Sequence, residues 1–281
     1  MVALTLGAEN KDKPVRLLAA VPHAHEPGPT AALVNLVSGI AEGKFLDGTP
    51  FPEDLRRASE KILITLLPDT NPQGKVRSEV RAWTGEIDNE TFYKIVFGEA
   101  ADGSRFGRYP EWRISAHHPR RVGIEYEALD GDDYVEPNTS LRSTHTRAID
   151  ALFSKYQFTH FLDLHQHEHP EVVLLPAEYD DLSSAERGKL DLWAKAIESE
   201  WKTLGIPYME PSVPYRGEPR QQFFKDYWKG RTPGMLRLTP ESRNNRHIHT
   251  DEPTSLAHQW HSSWAMVAGT VGHLGRLFQK L

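Results

Sequence analysis

Cysteine is absent from the 281-residue sequence. Its absence excludes a disulfide framework, a thiolate zinc site and a cysteine nucleophile. Long hydrophobic runs are also missing, since no apolar stretch approaches the roughly 18 residues that a membrane-spanning helix requires. The first residues show no basic segment followed by a long apolar one, so we expect no signal peptide. The absence of a signal peptide favours a cytoplasmic location, although the compartment stays open because a secreted protein can also lack cysteine. We expect no membrane partner.

Neither sign of charge is in large excess. Lys and Arg together number 33 and Asp and Glu 39, which gives a formal net charge of −6. This mild acidity provides no electrostatic reason to expect a nucleic-acid partner. Hydrophobic residues make up 38% and charged residues 26% of the chain, values typical of a folded globular protein. The length suits one large domain, and we expect a single domain over residues 1–281.

Apolar runs alternate with stretches of helical spacing along the chain. Val15–Val21 and Ile62–Leu67 are typical of buried strands. Between them we expect helices over Ala31–Ile40, capped by Thr30, and over Pro52–Lys61. The other predicted elements are strands over His160–Leu164, Val172–Leu175 and Met235–Leu238, and helices over Ser140–Tyr156, residues 183–204 and Thr254–Phe278. The alternation predicts a three-layer α/β/α sandwich with a mixed, mostly parallel central sheet.

Histidine is plentiful, with 14 residues, and three of them begin an H-x-x-E pattern. The pattern is weak by itself, so the position of each match along the chain decides whether it is a candidate ligand site. His23/Glu26 and His165/Glu168 each follow an apolar strand, and ligands of α/β sheets bind beyond the carboxyl ends of strands. The third pair, formed by residues 249 and 252, lies in a polar stretch and is attributed to chance.

Two histidines and one carboxylate around an open fourth position form a common catalytic zinc site. His23 and Glu26 can come from one turn, and His165, 139 residues after Glu26, can supply the third ligand from another strand. Two alternatives stay open. Glu168 can replace Glu26 as the carboxylate ligand, or the histidines can be ordinary hydrogen-bonded side chains.

A metal-dependent hydrolase also needs a base. Glu241 follows the short strand predicted over Met235–Leu238 and has the right chemistry and location for a general base. Strand alternation places Arg237 on the same face as Thr239 and Glu241. Arg237 is therefore a candidate for binding a substrate carboxylate, or else the partner of a neighbouring acid.

Five segments in order resemble the zinc carboxypeptidases, a group that also includes the succinylglutamate desuccinylase and aspartoacylase deacylases. The resemblance runs from about residue 15 to the C-terminus. The segments are His23-Ala24-His25-Glu26, Asn71-Pro72-Gln73-Gly74, Trp112-Arg113, Asp163-Leu164-His165 and Thr239-Pro240-Glu241.

The resemblance implies Zn²⁺ bound by His23, Glu26 and His165, with Glu241 as general base and then general acid. It also implies that Arg113 stabilises the oxyanion. Tyr215 lies where the family often has a substrate-covering tyrosine. The expected activity is metallocarboxypeptidase-like cleavage of a peptide or amide bond by water that the metal activates.

One departure leaves the substrate open. The family's asparagine–arginine pair, which grips a terminal carboxylate, has no arginine counterpart in Gly123–Ala128. The candidate substrate-binding residues are Asn71, Arg77, Arg81, Tyr215, Arg216 and Arg237.

A zinc-dependent deacylase of N-acyl amino acids is the second hypothesis, although its usual arginine-bearing D-L-N-R segment is missing here. A non-catalytic zinc- or peptide-binding module is the third, and the glutamate at position 241 argues against it. A metal-free structural protein is a further alternative.

Overall fold

The computed structural model describes residues 1–7, 13–216, 226–227, 231–232 and 234–277. A mixed sheet runs through its centre. Its strands are β1 (Leu4–Leu6), β2 (Arg16–Ala20), β3 (Leu63–Leu67), β9 (His160–Asp163), β10 (His165–His167), β11 (Val172–Leu175), β12 (Val213–Pro214) and β13 (Leu236–Arg243). They lie in the order β1-β3-β2-β9-β13-β11-β12, with β10 also paired to β13. Neighbours are parallel except for the β1–β3 and β11–β13 pairs.

Helices cover both faces of this sheet, because alternate residues of its strands present apolar side chains to opposite sides. One face packs against α1 (Pro27–Glu42), α7 (Ser184–Thr203) and α8 (Leu256–Leu277), and the other packs against α6 (Thr144–Tyr156). The short α2 (Glu53–Ser59) lies against α8. The predicted α/β/α class with a mostly parallel mixed sheet is confirmed. None of the helices in the described ranges is both long and apolar enough to cross a membrane.

The chain between β3 and α6 folds into small elements. They are α3 (Pro72–Arg77), a 3-10 turn (Val80–Ala82), α4 (Asn89–Phe97), β4 (Gly98–Glu99), β5 (Glu111–Arg113), α5 (Ile114–His117), β6 (Arg121–Val122), β7 (Glu127–Ala128) and β8 (Asp133–Val135). Phe106, Trp112 and Tyr126 form a separate aromatic core beneath this region.

Three predicted boundaries were wrong by more than two residues. The helix predicted from Ser140 begins at Thr144, with Ser143 as its N-cap residue. The first long helix begins at Pro27 rather than after Thr30, with Glu26 as its N-cap residue. The predicted strand ending at Leu238 continues to Arg243, so Glu241 lies within a strand rather than beyond its end.

Candidate metal centre and active site

The first H-x-x-E pair sits in the tight connection between β2 and α1. Glu26 donates its backbone N–H to the carbonyl of His23 at 3.3 Å, which closes a single turn. α1 then begins with Pro27-Gly28-Pro29. The two prolines have no N–H to leave unsatisfied in the first helical turn, and Gly28 donates its N–H to Gln166 Oε1 at 2.9 Å. The helix start is thus fastened to β10 directly after the glutamate.

Three buried donor atoms converge at the end of β2 and the start of β10. His23 Nδ1 lies 3.0 Å from Glu26 Oε1 and 3.2 Å from His165 Nδ1, and the third side of the triangle, from His165 Nδ1 to Glu26 Oε1, is 3.4 Å. All three side chains are almost fully buried. The predicted trio is therefore brought together, although His165 lies 139 residues after Glu26.

The second nitrogen of each imidazole faces a carboxylate. His23 Nε2 lies 2.6 Å from Glu136 Oε1, and His165 Nε2 lies 3.2 Å from Asp163 Oδ1. Metal-ligating histidines usually have such an outer partner, because it places the proton on one ring nitrogen and leaves the lone pair of the other for the metal. Asn138 Nδ2 also lies 3.4 Å from His165 Nε2.

The donor set fits a tetrahedral zinc ion. With metal–ligand distances of about 2.0–2.2 Å, ligand atoms at tetrahedral positions lie about 3.3–3.6 Å apart, close to the three separations in this triangle. Glu26 Oε2 is buried and has no hydrogen-bond partner among the described residues. His23 also forms a second group of potential ligands with Glu125 and Glu136.

The electrostatics of the trio are strongly coupled. Burial by itself would lower the pKa of His23, but the carboxylates of Glu26 and Glu136 outweigh burial and raise it to about 9. Burial would likewise raise the pKa of Glu26, yet the two imidazoles hold it well below its usual range. The centre therefore favours a carboxylate with positive charge beside it, which is the arrangement that a bound cation provides.

Glu241 lies one strand away from this centre. Its Cα is in register with that of His165 in the parallel β10–β13 pair, and paired strands are about 4.8 Å apart. The side chain is partly exposed and lines the same cavity as the trio. Its Oε2 lies 3.7 Å from His167 Nδ1. The predicted base is thus placed beside the candidate metal centre with access to water.

A cavity of about 150 Å³ opens over the centre. Arg108 and Arg237 are the two arginines among its lining residues. Arg108 donates from Nη2 to the buried Glu125 at 3.1 Å and lies 4.5 Å from the ring centre of Phe97. Arg237 Nη2 lies 2.6 Å from each carboxylate oxygen of Glu178.

The structure separates the predicted substrate-site residues into two groups. Tyr215 and Arg237 line the cavity, as does Glu168, which accepts a hydrogen bond from Tyr93 and does not belong to the ligand triangle. The others lie elsewhere, each with its own partner. Arg113 is exposed and pairs with Asp133, Arg216 pairs with Asp180, and Arg77 donates to the carbonyl of Tyr126. Arg81, also outside the lining, pairs with Glu79.

Asn71 acts on the fold rather than on a ligand. Its Oδ1 accepts the N–H of Gly74 at the start of α3, and its Nδ2 donates to the carbonyls of Ile124 and Glu125 at 3.2 and 2.8 Å. It therefore fixes the segment that carries Glu125, the partner of Arg108.

Sequence reasoning missed Glu136, Asp163 and Arg108 as members of the site. Asp163 did carry a signal, because it stands two residues before His165, and strand alternation places such residues on one face. Neither of the other two follows an apolar strand or stands at a recognisable spacing from the histidines.

Comparison with known proteins identifies the fold. No protein-family profile and no curated protein matches the sequence. A metallo-carboxypeptidase from Burkholderia cenocepacia superposes with a TM-score of 0.59 at 16% identity, covering 98% of this chain and 61% of that one. A metallo-carboxypeptidase from Pseudomonas aeruginosa, solved with (2-guanidinoethylmercapto)succinic acid, gives a TM-score of 0.51 at 17% identity, covering 96% and 58%.

The chain thus spans about three fifths of the length of these structures. The sequence-based resemblance to the zinc carboxypeptidases is confirmed at the level of the fold, since the α/β architecture is similar to that of these two metallo-carboxypeptidases.

Proposed function

We propose that this protein is a zinc-dependent hydrolase of carboxypeptidase type, acting on a peptide or another carboxylate-bearing amide. His23, Glu26 and His165 hold the ion, and Glu241 serves as general base and then general acid. The observation that carries the proposal is the triangle of three buried donor atoms, 3.0–3.4 Å apart, at the end of the parallel strands in a metallo-carboxypeptidase fold.

Zinc in such a site supplies Lewis-acid chemistry, because it polarises a carbonyl oxygen and makes water a stronger nucleophile at neutral pH. The proton transfers are carried out by a side chain of the protein. Glu241 takes the proton of the attacking water and delivers it to the leaving nitrogen. Its position beside the trio, on a strand rather than on a loop, holds the carboxylate in place for both transfers.

Two arginines of the cavity interact with negatively charged oxygens of the substrate. Arg108 stabilises the negative charge that develops on the carbonyl oxygen, a type of interaction that often contributes most to catalysis. Arg237 lies on the same face of β13 as Glu241, four residues earlier, and lines the cavity. Its Nη2 is paired with Glu178, as the second sequence-based alternative expected, and its proposed contact with a substrate carboxylate is made beside that ion pair. The Pseudomonas aeruginosa neighbour was solved with a succinic acid derivative, which supports a carboxylate-bearing ligand.

The test combines metal analysis with a substrate panel. The wild-type protein should contain about one zinc per chain, and it should release a C-terminal residue from at least one member of a library of blocked peptides. Glu241→Gln should keep the metal and lose turnover. Glu252→Gln, an exposed glutamate of the third H-x-x-E pattern, is the matched control and should keep both.

Other outcomes separate the alternatives. Release of a small acid from N-acyl amino acids, with peptides untouched, identifies a deacylase instead. Zinc binding without turnover on either class, unchanged by Glu241→Gln, identifies a binding module. Absence of stoichiometric zinc rejects the proposal.

A further inference from the structure

A row of four imidazoles leads from the cavity towards solvent, and we call it the imidazole row: His167, His169, His249 and His247. Successive ring centres are 5.5, 5.6 and 5.6 Å apart. The first ring lines the cavity, His169 is partly exposed and His249 is exposed. The spacing is close to the 4.9 Å between the rings of the two proposed histidine ligands. Neighbouring rings in the row are therefore near enough to share an ion.

Two backbone segments hold the row in place. Asn244 donates its N–H to the carbonyl of His167 at 2.7 Å, and Ile248 donates to the carbonyl of Glu168 at 2.9 Å. These bonds fasten the segment after β13 along the segment after β10. The histidines of both segments consequently face one another, although 80 residues of chain separate residues 167 and 247.

Carboxylates lie beside the two imidazoles at the cavity end of the row, those of His167 and His169. Glu241 Oε2 lies 3.7 Å from His167 Nδ1, and Glu168 Oε1 lies 3.8 Å from His169 Nε2. Each of these two rings thus has a carboxylate oxygen beside one of its nitrogens. Imidazole nitrogen and carboxylate oxygen are the donors that zinc accepts. The row therefore offers a series of sites at which two side chains can bind a divalent ion.

The row is built for weak binding. In the described part of the chain, groups of three or more ligating side chains within reach of one another occur only around His23. The row is extended, and no three of its rings close around one point. A divalent ion bound there by two side chains exchanges readily, while the buried trio, with three converging donors, binds it more tightly.

The trio itself is hard for an ion to reach. His23, Glu26 and His165 are only 5%, 2% and 4% exposed, so a hydrated ion must enter through the cavity and lose most of its water there. Replacing that water one ligand at a time costs less at each step than losing it all at once.

We propose that the imidazole row captures a divalent transition-metal ion such as Zn²⁺ at the cavity mouth and passes it to the buried trio. The inference rests on the proposed function, because it takes the trio to be the zinc site. The row is a path and does not belong to the final site, so it changes the rates of metal uptake and release by the same factor and leaves the affinity of the trio unchanged.

The experiment measures zinc exchange rather than catalysis. Metal-free protein is mixed with Zn²⁺ alone in a stopped-flow instrument, and uptake is followed with a chromophoric chelator. Release is followed with an excess of the same chelator. The row variant is His169→Gln with His249→Gln, one partly exposed and one exposed side chain. The matched control is His118→Asn with His261→Gln, two exposed histidines outside the row.

We expect uptake and release to slow together in the row variant by about tenfold, the lower end of what local enrichment of an ion contributes to association rates. The equilibrium affinity of the trio and the stoichiometry should match those of wild type and control. Wild-type rates in the row variant would overturn the proposal, as would a loss of equilibrium affinity without a matched change in both rates. Wild-type protein that binds no zinc would instead reject the metal site itself, and zinc exchange without hydrolysis would reject only the proposed activity.

Discussion

His23 Nδ1 and His165 Nδ1 face each other at 3.2 Å in the interior of the protein. Each ring presents its other nitrogen to a carboxylate, Glu136 for the first and Asp163 for the second. With both rings protonated at Nε2, two lone pairs would point at each other. That arrangement is stable only with a proton or a cation between them. A shared metal ion satisfies both nitrogens and the adjacent Glu26 oxygen together.

Removal of either imidazole should therefore remove the metal. His23→Ala and His165→Ala each leave two ligands, too few for a structural or catalytic zinc site. We expect elemental analysis of the purified variants to show far less than one zinc per chain. The His261→Gln variant should retain the wild-type content. Full zinc occupancy in His23→Ala would remove this residue from the site.

The carboxylate behind His23 should tune the affinity. Glu136 accepts the hydrogen bond from Nε2 at 2.6 Å, and loss of such an outer partner typically weakens metal binding by about 10–100-fold. We expect Glu136→Gln to weaken zinc binding within that range in a competition titration against a chelator. The exposed Glu252→Gln serves as control, and an unchanged affinity in Glu136→Gln would show that the contact has no influence on the metal.

Arg108 and Arg113 form a natural matched pair. The resemblance assigned oxyanion stabilisation to Arg113, yet that side chain is 70% exposed and pairs with Asp133, while Arg108 lines the cavity. We expect Arg108→Ala to lower kcat by about 10²–10³, as loss of an oxyanion donor does, with zinc content unchanged. Arg113→Ala should behave like wild type. The reverse result in steady-state assays would restore the original assignment.

Most of the sheet could be predicted from the sequence, because buried parallel strands are short apolar runs. Two of the boundary errors lie at prolines. Pro27 and Pro29 precede the predicted start of the first long helix, but proline suits the first turn of a helix, and both belong to α1. Pro240 lies beyond the predicted strand end at Leu238. In the structure it stands between the pairing of β13 with β9, which extends to Leu238, and the pairing of β13 with β10, which begins at Glu241. Its missing N–H falls between the two ladders.

The candidate metal ligands could be predicted because they follow strands, whereas Arg108 could not. His23, Glu26 and His165 each lie next to a recognisable apolar run. Arg108 stands in a stretch of short strands and turns, and its position depends on contacts with Glu125 and Phe97. Those contacts are distant in the sequence and have no periodicity that reveals them.

The pH dependence of stability should reflect a histidine far from the cavity. His160 begins β9, with its ring 5.2 Å from that of Trp193. Burial, assisted by His273 and Lys189, lowers its pKa to about 3, against about 6.5 in an unfolded chain. Between these values the unfolded state binds the extra proton, so the free energy of unfolding falls as the pH drops below about 6.5.

This dependence can be isolated by substitution. His160→Gln should flatten the slope of unfolding free energy against pH between about 6 and 4, by up to about 1.4 kcal/mol per pH unit. Urea titrations at several pH values measure the slope separately from any uniform loss of stability. His261→Gln should keep the wild-type slope, and parallel curves for His160→Gln and wild type would contradict the assignment.

Gly28 couples the metal centre to α8 through close packing. A Cβ at this position would lie 2.5 Å from Ser263 Oγ and 2.9 Å from the carbonyl oxygen of Gln259. Because the second contact is with backbone, α1 or α8 must shift to accept it, and overpacking of this kind typically costs about 1–3 kcal/mol. Gly28→Ala should therefore lower the free energy of unfolding by this amount. It should also weaken zinc binding, since Gly28 lies two residues after Glu26.

Gly188 in α7 is the control, because a Cβ there meets nothing within 4 Å. Alanine should stabilise that helix by up to about 1 kcal/mol. Equal stability changes in the two variants, measured by denaturant unfolding, would show that the close approach at Gly28 does not constrain the site.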